Sequence, residues 1–275
     1  MKVSSRLYNN LNTQGRFLNY NDRIILMKVE DVMNTIITAV KSESNLREVV
    51  ISLANTPCGR VLVFSEEKPE GIITSRDILA AFSEYGNDAF SLRAKDIYGG
   101  EIVSANPKDE VRVAVRKMIY EGIGGLPVME GDKIVGMFTE RDVVKILAKV
   151  KSLSMVDSVM TLNPLGIDIG LDLREAARIM YISKIRRLLV KDEEKVVGLI
   201  TAADIIKGLA RGITEVEKIV TRNPITVTRN CKINKAAEIM TKKRIGSLVV
   251  EEKGIVGILT ERDLLYAYLT ESMLQ

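Results

Sequence analysis

Val135 Gly136 Met137 Phe138 Thr139 Glu140 Arg141 Asp142 Val143 Val144 decides how this chain is read. It returns near the far end as Val256 Gly257 Ile258 Leu259 Thr260 Glu261 Arg262 Asp263 Leu264 Leu265. Two looser copies stand at Gly71 Ile72 Ile73 Thr74 Ser75 Arg76 Asp77 and Gly198 Leu199 Ile200 Thr201 Ala202 Ala203 Asp204. Each runs glycine, two apolar residues, threonine, two variable residues, aspartate. The glycines lie 65, 62 and 59 residues apart. That period is longer than those of the usual solenoids and suits a small domain present four times.

Working upstream from each motif, the four copies share one plan. Counted from Met33, Tyr98, Met160 and Val220, a short and partly β-branched stretch follows, such as Ile37 Thr38 Ala39 Val40 or Pro224 Ile225 Thr226 Val227, and reads as a strand. Thirteen residues on, Leu46, Val111, Leu173 and Ile233 open helices. In the third copy Leu173, Ala176, Ala177 and Met180 fall on one helical face, and the fourth matches it with Ile233, Ala236, Ala237 and Met240. An apolar strand, a polar turn and the glycine-bearing strand then make a hairpin, and Thr-x-x-Asp opens a second helix. Strand, helix, hairpin, helix, four times over, predicts a mixed α/β protein. The expected divisions are an N-terminal extension at 1–27 and repeats at 28–93, 94–155, 156–215 and 216–275. The extension is polar and without period, and reads as a segment that drapes over the body or frays.

Thr-x-x-Asp has two readings. As a helix-start signature, the threonine caps and the aspartate three residues on bonds back to a free amide, which contributes about 0.5–2 kcal/mol and no function. As a binding element, the same helix N-terminus offers unpaired amides and a positive dipole end to a phosphate or ribose oxygen. The aspartate can then accept from vicinal ribose hydroxyls. The neighbouring glycine allows a ligand or another backbone to come close. Capping does not explain why an arginine directly precedes the aspartate in three of the four copies: Arg76, Arg141 and Arg262.

Bulk properties exclude several function classes. The 275 residues include no histidine, which removes His-based nucleophilic and acid–base systems and the usual zinc sites. Cys58 and Cys231, the only cysteines, fall at non-equivalent places in their repeats and read as incidental thiols in a reduced cytoplasm. The net charge of +4 is spread along the chain, a weak argument for nucleic acid. No apolar run approaches the ~20 residues that span a bilayer, and the N-terminus lacks a secretory pattern. No nucleophile–base pair or metal cluster stands out, so no enzyme activity and no cofactor are expected.

The order of elements and the four Gly-h-h-Thr-x-x-Asp motifs, in register over nearly the whole chain after residue 27, resemble the CBS domain, named after cystathionine β-synthase. The resemblance implies two Bateman modules, residues 28–155 and 156–275, each a pair of repeats packed through their sheets about a pseudo-twofold axis. It implies regulation by an adenosine-containing ligand (AMP, ADP, ATP or S-adenosylmethionine) and an effect on an unidentified partner protein. It also implies modules that pair into disc-like assemblies, with a homodimer as one arrangement. The copies pair off in detail. Copies two and four carry Ser104 and Thr226 and the full Thr-Glu-Arg-Asp. Copies one and three carry Arg60 and Arg186 where the others have Gly124 and Gly246. In this family a basic residue there often reaches phosphate in the partner copy's site. The expected ligand residues are Ser104, Thr139, Arg141 and Asp142 with Arg60, then Thr226, Thr260, Arg262 and Asp263 with Arg186, and secondarily Thr74 and Asp77. Arginine suits the role because its planar fork binds phosphate bidentately. A ligand-free scaffold and a nucleic-acid-binding CBS protein are the alternatives.

Overall fold

Four copies of one α/β unit follow each other in the computed structural model, which describes residues 27–56 and 58–273. The expected extension lies outside the described residues apart from Met27. Copy one contains β1 (Ala39–Lys41), α1 (Leu46–Asn55), β2 (Arg60–Ser65), β3 (Lys68–Thr74) and α2 (Ser75–Tyr85). Copy two contains α3 (Val111–Tyr120), β4 (Gly125–Glu130), β5 (Lys133–Thr139) and α4 (Glu140–Leu147). Copy three follows β6 (Thr161–Leu162) with β7 (Gly166–Asp168), α5 (Leu173–Ile182), β8 (Arg187–Asp192), β9 (Lys195–Thr201) and α6 (Ala202–Ala210). Copy four follows β10 (Thr221–Arg222) with β11 (Thr226–Val227), α7 (Ile233–Lys243), β12 (Ser247–Glu251), β13 (Ile255–Thr260) and α8 (Glu261–Met273).

The helices begin where the apolar period begins. Asn45 and Asp172 cap α1 and α5 by accepting the amides of Glu48 at 3.0 Å and Glu175 at 2.8 Å. The 3.6-residue period then buries one face of each helix: Leu46, Val49, Val50 and Leu53 in α1, and Leu173, Ala176, Ala177 and Met180 in α5. All four hairpins shift register at the same place, between Val63 and Phe64 and its equivalents, so the same bulge twists each one.

The first strand of each repeat is shorter than its apolar run suggests. In copy two it shrinks to a single bridge between Ala105 and Val128. The sequence also conceals an exchange. Residues leading into one repeat pair with the glycine-bearing strand of its module partner. Asn34 bridges Met137, β6 pairs with Gly257 and Ile258 of β13, and β10 pairs with Gly198 and Leu199 of β9. This exchange explains the repeated glycine. A Cβ on Gly136, Gly198 or Gly257 would stand 2.7–2.8 Å from a carbonyl oxygen of the incoming strand, and one on Gly71 would enter the Tyr98 ring. Of the two close approaches that glycine permits, the one realised is another stretch of the same protein.

The copies meet in two ways. Sheets meet within a module: Leu189 and Leu199 of copy three pack on Val249 and Ile258 of copy four. Helices meet between modules: α1 and α2 pack on α6 and α5, while α3 and α4 pack on α8 and α7. Two separate cores result, copies one with three and copies two with four. The link between modules is tied to the last helix, where Ser152 Oγ donates to Glu271 Oε1 at 2.5 Å and the Ser154 amide to the same oxygen at 2.9 Å.

Candidate functional site

All four Thr-x-x-Asp motifs are reciprocal helix caps. In each, one aspartate oxygen accepts both the threonine amide and the threonine hydroxyl. The distances are 2.7 and 2.8 Å for Asp77, 2.9 and 2.8 Å for Asp142, 2.9 and 2.6 Å for Asp204, and 2.7 and 2.8 Å for Asp263. The capping reading thus holds in every copy, and it uses only Oδ2. Asp142 turns Oδ1 to Lys145 Nζ at 2.9 Å. Burial pushes the Asp77 and Asp263 carboxyls above the usual aspartate range, against the threonine bonds that lower them.

The residue after the threonine separates the copies. It is Ser75 in copy one and Ala202 in copy three, but Glu140 in copy two and Glu261 in copy four. Both glutamates are buried, at 2% and 9% exposure, on the first turns of α4 and α8, where the helix dipole favours a carboxylate. Arginines from all three other copies surround Glu140. Arg186 Nη2 donates to Oε2 at 2.7 Å. Arg262 Nε stands 2.8 Å from Oε1, a charge contact whose N–H points off the hydrogen-bond line. Arg60 crosses Gly124, so that its Nη2 and the Glu140 carboxyl both lie within 3 Å of where a Gly124 Cβ would be. Burial alone would raise the Glu140 carboxyl, but Arg186, Arg262 and Arg60 outweigh it and hold it below the usual glutamate range.

A second set mirrors the first. Arg141 Nε donates to Glu261 Oε1 at 3.2 Å, and Arg187 Nη2 lies 3.9 Å from Oε2 while donating to the Gly246 carbonyl at 2.7 Å. The arginines before the aspartates therefore trade acids across the modules, Arg141 with Glu261 and Arg262 with Glu140. That pairing accounts for Arg141 and Arg262, two of the three arginines that capping left unexplained, but not for the exposed Arg76 of copy one. Five arginines and two glutamates gather where the four copies meet.

A model of the CBS domain matches residues 29–84, 94–149, 156–211 and 216–270. The chain belongs to the CBS-domain family. Over 274 residues it is 28% identical to an uncharacterized Methanocaldococcus jannaschii protein, MJ1225, covering 87% of this chain and 97% of that one. The crystal structure of MJ1225, proposed as an archaeal homolog of g-AMPK, superposes with a TM-score of 0.77 at 26% identity, covering 88% of this chain and all of that one. An inosine-5'-monophosphate dehydrogenase of the same organism is 35% identical over 117 residues, which is 42% of this chain but 23% of that enzyme.

As a CBS protein with two Bateman modules, the chain rearranges the expected site residues. The arginine opposite the capping threonine is set by strand register. Arg60 pairs with Thr74 and Arg187 with Thr201, where copies two and four place Gly125 and Ser247. Arg187, not Arg186, is thus the counterpart of Arg60, and Arg186 is an additional cation one residue earlier. Arg60 and Arg187 are half-buried, and loss of solvent pushes both guanidinium groups down from their ordinary values.

The strand exchange also bears on what stands near the copy-two aspartate. Cys58 of copy one accepts from Asn34 Nδ2 at 3.5 Å and lies against the Ile36 carbonyl. Its thiol is pushed up by burial and then by the Asp142 charge. The start of copy one therefore faces the aspartate of copy two. Ser104 lies between Tyr98, packed on Gly71, and Ala105, bridged to Val128, and its carbonyl accepts Lys117 Nζ at 2.7 Å. Thr226 stands on β11, paired with Val249 of its own copy. Glu140 and Glu261 were the residues the sequence reading passed over. Their signal was the alternation itself, acid in copies two and four against arginine in copies one and three.

Proposed function

We propose that the protein is a regulatory sensor that binds an adenine nucleotide (AMP, ADP or ATP) in the clefts of its Bateman modules and alters the activity of a partner protein. The observation that carries this reading is the approach of copy-one and copy-three arginines to the Thr-x-x-Asp helix starts of copies two and four. Arg187 and Arg186 both act electrostatically on Asp263 and its surroundings. Arg60 donates to the Cys58 carbonyl at 2.9 Å, and Cys58 in turn feels Asp142. A ribose at Asp263 Oδ1, or at Asp142 Oδ1 in place of Lys145, would send its phosphate toward an arginine of the other copy. Helix amides and arginine forks both favour a phosphate there. The five-to-two excess of arginine over glutamate at the centre favours a phosphate-bearing adenosine over the cationic sulfonium of S-adenosylmethionine. The likeness to the proposed archaeal g-AMPK homolog supports the same reading. Among the described residues no helix is long and apolar enough to cross a membrane, and no cluster of acidic residues or cysteines is arranged to hold a metal.

A ligand-free scaffold is the second reading. It is favoured by the self-sufficiency of the caps and by the acids already paired with the central arginines. Thermal unfolding with AMP, ATP, adenosine and S-adenosylmethionine separates the two, because a ligand of the native state raises the midpoint. A rise with AMP or ATP that exceeds the rise with S-adenosylmethionine is the expected result. No rise with any of the four leaves the scaffold.

A further inference from the structure

We propose that Glu140 is an internal anion that competes with a ligand's phosphate and couples binding in the two modules. The proposal deepens the nucleotide reading and rests on it. The carboxylate sits on the first turn of α4, 2% exposed. The charges around it come from both modules: Arg186 of copy three and Arg262 of copy four pair with it from the other module, while Arg60 of copy one stands across Gly124, outside ion-pair distance but near enough to act on its charge. Arg60 belongs to the cleft of the first module and Arg186 to that of the second. One carboxylate is thus shared by the arginines that would receive two different phosphates.

The consequence follows from charge alone. A buried carboxylate is tolerated only while cations compensate it. A phosphate entering the first module draws Arg60 away, so Glu140 opposes the first ligand. Once Arg60 has been drawn away, Glu140 depends on Arg186 and Arg262 alone and holds them back from the second phosphate. The first ligand therefore opposes the second, which is a coupling free energy between sites. A neutral adenosine takes no arginine and shows no coupling. Glu261 plays the same part more weakly, because its arginines stand farther off, at 3.2 Å and 3.9 Å.

Calorimetry on wild type and E140Q with AMP, ATP and adenosine tests the proposal. For AMP and ATP, E140Q should bind the first equivalent about ten-fold more tightly and lose the coupling between sites, a change within the range usual for such couplings. Adenosine should bind both proteins alike. Equal changes for adenosine and ATP, or unchanged AMP and ATP binding in E140Q, would overturn it. If wild type binds none of the three, the nucleotide reading has failed and the internal anion is judged with inorganic pyrophosphate alone. A larger midpoint rise in E140Q than in wild type then supports it, and an equal rise overturns it. If circular dichroism shows E140Q unfolded, E261Q takes its place, with about a three-fold tightening expected on the same scale.

Discussion

Copies one and three differ from copies two and four less in their elements than in what each places at the centre. All four have the same cap, the same hairpin bulge and the same kind of apolar helix face. Copies one and three bring Arg60 and Arg187 at the start of the first hairpin strand, and Ser75 or Ala202 after the threonine. Copies two and four bring Gly125 and Ser247 at the first place and Glu140 and Glu261 at the second. Glycine just before the strand is needed there for space, since a Cβ at Gly124 or Gly246 would meet the incoming guanidinium at 2.6 Å. The duplicated scaffold has thus been divided into donors and receivers of charge. Identical folding chemistry leaves room for complementary surfaces.

The largest expected effect tests that division. Glu140→Ala strips the paired acid from Arg186 and Arg262 and should lower stability by about 3–5 kcal/mol in urea denaturation, while Ser75→Ala, its counterpart in copy one, should stay within about 0.5 kcal/mol. Equal losses would erase the distinction between the copies. Next in size, Gly257→Ala and Gly198→Ala press a methyl against the carbonyl of an exchanged strand and should each cost about 1–3 kcal/mol by thermal unfolding. Parallel losses in copies three and four would show that the glycine serves the shared scaffold and not the charge division.

Smaller effects sharpen the contrast. Thr74→Ala, Thr139→Ala, Thr201→Ala and Thr260→Ala each remove a cap and should cost about 1 kcal/mol in denaturant. If the site reading is right, nucleotide affinity measured by calorimetry falls further in Thr139→Ala and Thr260→Ala than in the other two. The least effect is in pH. The Glu140 carboxyl is depressed in the folded protein, so its stabilisation is complete above the unfolded value of about 4.3 and fades as pH falls through the folded value. Asp263 is raised, so its contribution runs the other way and grows as pH falls toward about 3.9. Acid titration of unfolding should give Glu140→Gln a flatter acid limb than wild type and Asp263→Asn a steeper one.

Much of the fold was legible because periodicity is local. The spacing of Leu173, Ala176, Ala177 and Met180 needs only a helix to put them on one face, and Thr-x-x-Asp needs only a helix start to cap itself. The Arg60 comparison slipped by one residue because copy three carries two adjacent arginines. Only strand pairing opposite Thr201 says which of them is the counterpart. The exchange of strands between copies was hidden for a different reason. A repeat in sequence is a continuous segment, but here the first residues of each repeat add to the neighbouring sheet, as β6 and β10 do.

By itself the sequence determined four α/β units, their caps, their helix faces and the places where the copies differ, since each depends on residues close together in the chain. Tertiary structure alone decided that copies one and three share one helical core and copies two and four the other. It also decided that Arg141 and Arg262 reach acids in the opposite module instead of pointing to their own aspartates. The physical reason is distance along the chain. Arg141 and Glu261 lie 120 residues apart, and the free energy of a buried charge depends on whichever groups packing brings beside it, which no local pattern of residues encodes.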